Sequence, residues 1–135
     1  MTDVHCPCGA IHLEVSAEPI AQFSCHCADC RAVHGAGYVP VALYPEAGAK
    51  ITQGTPKAWK LRTMPRMACP ECGTRVFADP VPGMRGVIGT LLPAGTFKPT
   101  MHIHCGSAVR PVKDDLPHFK DMPTQFGGTG DAVGW

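Results

Sequence analysis

A chain of 135 residues is about one domain's worth, able to bury roughly two-thirds of the surface its unfolded form exposes. Hydrophobic residues make up 44% of it but aromatics only 7%, and 15 glycines and 14 prolines make it rich in turns and poor in long helices. A formal charge of +1 with no basic tract excludes a general pull on nucleic acid, and no run approaches the roughly 20 apolar residues needed to span a bilayer.

The opening MTDVHCPCGA carries no basic stretch, apolar stretch or cleavage site, so a reducing, cytoplasmic location is expected. Ala10 to Val15 alternates in polarity, putting Ile11, Leu13 and Val15 on one side of a strand. Its turn is Cys6-Pro7-Cys8-Gly9. Pro19 to Gly35 brackets the longest stretch free of Gly and Pro, and Ala28 to His34 within it reads as a helical turn or two. Gly37 to Tyr44 and Arg85 to Leu92 are short apolar runs that read as strands, Pro40 arguing for an edge or a bulge in the first. Lys57 to Met64 reads as another, with Trp59 and Leu61 on one face and Lys60 and Arg62 on the other. Residues 1–123 are expected to form the domain, and the Gly-rich segment 124–135 a flexible tail.

Eight cysteines in a reducing compartment read first as metal ligands. Cys6-x-Cys8 and Cys69-x-x-Cys72 are tight turns, each followed by glycine and each stiffened by a proline, Pro7 or Pro70. Together they supply four thiolates, which satisfy tetrahedral Zn²⁺ and close a structural site. Cys25-His-Cys27-Ala-Asp-Cys30 supplies three, leaving a coordination position for water or a substrate thiol. Two other readings stand for this trio: a second structural zinc closed by Cys105, His102, His104 or His34, and a redox pair at Cys27 and Cys30. Cys105 reads as a small buried apolar residue, and His26 as a neighbour of the ligands. With two zincs bound, ionised thiols bring the net charge to about −2.

The motifs C-x-C-G-A (Cys6 to Ala10), C-H-C-x-x-C-R (Cys25 to Arg31), H-G-A (His34 to Ala36), C-P-x-C-G-T-R-x-F (Cys69 to Phe77), H-I (His102, Ile103) and D-D-L-P-x-F (Asp114 to Phe119) occur in that order. Over roughly Val4 to Pro123 the chain thereby resembles the glutathione-dependent formaldehyde-activating (GFA)/CENP-V group. The resemblance implies a mainly β, Mss4-like fold of packed antiparallel sheets with zinc knuckles and little helix. It implies two zincs per chain, a structural one at Cys6, Cys8, Cys69 and Cys72 and a catalytic one at Cys25, Cys27 and Cys30. It further implies a carbon–sulfur lyase acting on S-(hydroxymethyl)glutathione, with glutathione and formaldehyde as partners. The sequence departs from the family pattern at His34, where a small Ser is common, and at His104, Cys105 and Arg110-Pro111-Val112, where an aromatic-rich stretch with a Trp is usual.

In that chemistry a thiolate attacks the aldehyde carbon, and Arg31 is expected to take a carboxylate of glutathione. If residues 28–34 are helical, His34 shares a face with Cys30 and reads as a proton shuttle, a fourth ligand or an ordinary packed histidine. A protein-binding zinc module and a zinc buffer are the rivals to an enzyme.

Overall fold

The computed structural model describes residues 1–135. Ten strands and one helix follow in order: β1 (Thr2–His5), β2 (His12–Val15), β3 (Ala21–Cys25), α1 (Ala28–His34), β4 (Val39–Pro45), β5 (Ala49–Gln53), β6 (Lys57–Leu61), β7 (Met64–Ala68), β8 (Arg75–Ala78), β9 (Met84–Ile88) and β10 (Met101–Ile103). The fold is mainly β with little helix, as expected, and its strands form two sheets. The chain divides into two compact units interleaved in sequence: 1–21 with 42–97, and 22–41 with 98–135.

The first unit contains the smaller sheet, in the order β1-β2-β5, and the meander β9-β8-β7-β6 of the larger one. β1 and β2 pair antiparallel, Val4 opposite Leu13, so Cys6-Pro7-Cys8-Gly9 closes a hairpin. Ile11, Leu13 and Val15 are buried together, as their alternation requires, and join Val4, Ala49, Tyr44, Val76, Phe77 and Val87 in one apolar core. The Arg85 guanidinium lies over the Phe77 ring, 4.2 Å from its centroid, and its Nε donates to Asp79 Oδ1 at 3.0 Å. Phe77 is 1% exposed, so Phe77→Ala is expected to cost about 3–5 kcal/mol in a urea titration with the slope unchanged.

The second unit buries far less apolar surface. Its buried residues are Cys25, Val39, Met101, Ile103, Cys105 and Pro123 beside the polar Ser24, His26, His102 and His118. β10 pairs with β3 in parallel, His102 opposite Ser24 and Ile103 opposite Cys25, an exception to the antiparallel pairing expected throughout.

Three strand expectations change. β4 has neighbours on both sides, β3 and β9, so Pro40 does not mark an edge; it is the second residue of the strand, where the ladder is only beginning. Arg85 to Leu92 is strand only to Ile88, continuing as a 3₁₀ turn at Gly89–Leu91. β6 stops at Leu61, and Arg62 turns the chain toward β7 with φ 58° instead of extending a basic face. The tail also differs from its glycine content. Lys120 N–H donates to Asp131 C=O at 2.7 Å, Val133 N–H donates to His118 C=O at 3.0 Å, and Thr129 donates both N–H and O–H to the Asp121 carboxylate. Residues 124–135 take part in these hydrogen bonds within the second unit.

Candidate functional site

Two knuckles of the first unit bring four thiols together. Gly9 N–H donates to Cys6 C=O at 3.0 Å, and Gly73 N–H to Cys69 C=O at 2.9 Å. Both glycines have φ near 78°, a conformation that side chains rarely adopt, so the glycine closing each knuckle is required by the turn. Ile11 N–H points at Cys6 Sγ at 3.4 Å and Cys72 N–H at Cys69 Sγ at 3.5 Å. The four sulfurs of Cys6, Cys8, Cys69 and Cys72 lie within 4.8 Å of one another, with Cys6–Cys8 and Cys8–Cys69 both at 3.6 Å. Tetrahedral zinc, with Zn–S of about 2.3 Å, sets its sulfurs about 3.8 Å apart, whereas a disulfide needs about 2.05 Å. The donors fit a metal, and all eight cysteines are free. The Thr74 hydroxyl, 3.2 Å from Cys72 Sγ, helps hold that thiol down to about 6.

The second group lies where β3 passes into α1. Cys25 ends the strand, and Cys27 is the N-cap of the helix, its sulfur accepting the Cys30 N–H at 3.2 Å. Cys30 sits one turn in, 3.7 Å from Cys25 Sγ. The three sulfurs form a group by themselves, joined by none of His34, His102, His104 and Cys105. Hydrogen bonding from Cys25 and Cys30 holds Cys27 down to about 2, while Cys27, Cys30 and burial push Cys25 far up. One thiolate is thus favoured and a second opposed; ionising all three calls for a cation.

The helix Ala28–His34 has the expected limits and no fully buried residue, and Cys27 and Cys30 are both partly exposed. Arg31 Nε donates to His26 C=O at 3.3 Å, which ties its guanidinium to the ligand segment. His34 ends the helix, one turn beyond Cys30. Cys105 is buried, and burial pushes its thiol up to about 11, in keeping with an inert apolar residue. A cavity of about 700 Å³ in the same unit is lined by His26, Tyr38, Arg110, Pro111 and Val112 among others.

A model of the family described as glutathione-dependent formaldehyde-activating enzyme matches residues 1–107. The chain belongs to that family. A crystal structure of a Rhodobacter sphaeroides protein shares the fold, with a TM-score of 0.57 at 22% identity over 68% of this chain and 88% of that one. No curated protein sequence matches. The seven clustered cysteines all fall within the family match.

Sequence reasoning missed how the surroundings of the cysteine trio are assembled. His26 is 1% exposed and its Nε2 lies 2.9 Å from His102 Nδ1; burial, then the charges of His102 and His118, push it down to about 4, so it is neutral at physiological pH. His102 Nε2 contacts Asp114 Oδ2 at 2.7 Å, and His118 Nε2 contacts Asp114 Oδ1 at 2.9 Å. Trp135 lies tilted against His118 and edge-on to His26, at centroid distances of 4.9 and 5.3 Å. The four-residue spacing of Asp114 and His118 was the one local signal available.

Proposed function

We propose that this family member is a zinc enzyme that makes or breaks the carbon–sulfur bond of a thiol–aldehyde adduct, in the manner of S-(hydroxymethyl)glutathione formation. The observation that carries this reading is the grouping of the Cys25, Cys27 and Cys30 sulfurs without a fourth protein donor. In this account Cys6, Cys8, Cys69 and Cys72 hold a second, purely structural zinc. Zinc held by the three thiolates would supply Lewis acidity at the remaining position, favouring the ionised form of a thiol placed there.

The protein's own residues would then bind and orient. The cavity beside His26 receives the body of the thiol substrate, while the Arg31 guanidinium, anchored by its Nε, and exposed Arg110 meet its carboxylates. Bringing the two reactants together converts a bimolecular encounter into a local one, which adds to any gain in thiolate fraction. As the sulfur attacks the carbonyl carbon, the S–H proton passes to the His34 imidazole, the C=O electron pair moves to oxygen, and that oxygen takes a proton back from His34. The reverse sequence breaks the bond. A neutral, reducing cytoplasm rich in small thiols suits this chemistry.

His34→Ser tests the assignment. Activity is expected to fall about 10²-fold or more with both metals retained. Loss of one metal would make His34 a ligand instead, and unchanged activity would remove it from the mechanism.

A further inference from the structure

Asp114 and His118 lie beyond the part of the chain that the family model matches, and they converge with His102 on one point of the second unit. His102 comes from β10, its backbone N–H and C=O both bonded to the 117–119 segment, so the loop carrying Asp114 and His118 is pinned beside it. Asp114 Oδ1 also accepts the Leu116 N–H at 3.1 Å, which fixes the carboxylate's direction. One donor atom from each of the three side chains lies within 4.8 Å of the other two. His102 is 2% and His118 8% exposed, whereas Asp114 reaches solvent.

From this geometry we propose that His102, Asp114 and His118 form a third metal site, for a divalent ion of the zinc, cobalt and nickel class, separate from both cysteine groups. Two imidazoles and one carboxylate are a donor set that such ions favour, and harder ions such as Ca²⁺ and Mg²⁺ would lack the oxygens they need. Zinc holds nitrogen and oxygen at about 2.0–2.2 Å, which spaces neighbouring donors about 3.3 Å apart. The observed N···O separations of 2.7 and 2.9 Å are hydrogen bonds, so loading requires them to open by about half an ångström. The exposed Asp114 side chain can make that adjustment and gives the ion its way in.

The surroundings complete the site. A histidine that binds a metal through Nε2 carries its proton on Nδ1 and needs an acceptor there; His26 Nε2 stands 2.9 Å from His102 Nδ1, placed to be that acceptor. Trp135 lies 4.9 Å from the His118 ring. In a unit with few buried apolar residues, an ion here would tie β10, the 114–118 loop and the C-terminal segment together.

The test is a titration of the full-length protein, its cysteine groups loaded with zinc, with Co²⁺ alone. Expected are one additional Co²⁺ per chain, visible as weak d–d absorption with no sulfur-to-cobalt charge transfer, and quenching of tryptophan fluorescence from Trp135 in a Trp59→Phe background. Asp114→Asn and His118→Gln should each weaken that binding at least tenfold while leaving zinc content unchanged. Absence of a further Co²⁺ in the wild-type protein, binding that shows sulfur charge transfer, or equal affinity in folded Asp114→Asn would overturn the proposal and leave a hydrogen-bonded triad. The wild-type titration decides even where a variant does not fold, and zinc content reads the cysteine groups independently.

Discussion

Cys69→Ser is expected to leave the protein unfolded. Cys69 is 1% exposed, belongs to the apolar core as well as to the four-sulfur group, and links segments 61 positions apart through its contact with Cys8. A metal that clamps such distant segments contributes its binding free energy to folding, about 10 kcal/mol or more for a structural zinc, against a typical total stability of about 5–15 kcal/mol. Serine at this position removes a thiolate and leaves the other three donors unable to close a tetrahedron. Circular dichroism on the purified variant, with metal content measured alongside, gives the answer. A variant that melts with the wild type would refute the structural assignment.

Cys27→Ser should behave in the opposite way, keeping the fold while losing the second metal and all thiol–aldehyde activity. The three sulfurs of this group come from one segment, Cys25 to Cys30, and close no long loop. Cys27 also caps α1, but serine is itself a favourable N-cap and can accept the Cys30 N–H, so the helix loses little. With two sulfurs left, affinity for the ion collapses and the ionised thiol substrate loses its anchor. The expected reading is one zinc per chain instead of two, a melting temperature within a few degrees of wild type, and activity at the buffer rate. Global unfolding of this variant would show that the trio, too, is structural.

The contrast between these variants was legible in the sequence because each knuckle is a local object. Cys6-Pro7-Cys8-Gly9 and Cys69 to Gly73 contain the turn-forming proline, the sulfurs and the closing glycine in four or five residues, and the structure places them as the spacing implies. The helix was legible for the same reason, its limits lying within a stretch free of Gly and Pro. What could not be read was assembled from distant segments. Nothing local shows that parallel pairing with β3 sets His102 beside His26, or that the bridge between His102 and His118 gathers Asp114 and Trp135 around them. Three-residue β10 is too short to show a period, and β7 carries Pro65, which weakens a strand signal. At the tail, hydrogen bonds to the Asp121 carboxylate and to the Asp131 and His118 carbonyls are contacts that composition does not encode.

The central claim is that the Cys25, Cys27 and Cys30 group promotes the joining and parting of a thiol and an aldehyde. Magnetization-exchange NMR with ¹³C-formaldehyde and glutathione measures the rate at which S-(hydroxymethyl)glutathione interconverts with its components, with the protein present in catalytic amount. The account predicts a rate well above that of buffer, lost in Cys27→Ser and after removal of the second metal, and restored when zinc is returned to the wild-type protein. An interconversion rate equal to that of buffer, in wild-type protein shown to hold both zincs, would contradict it.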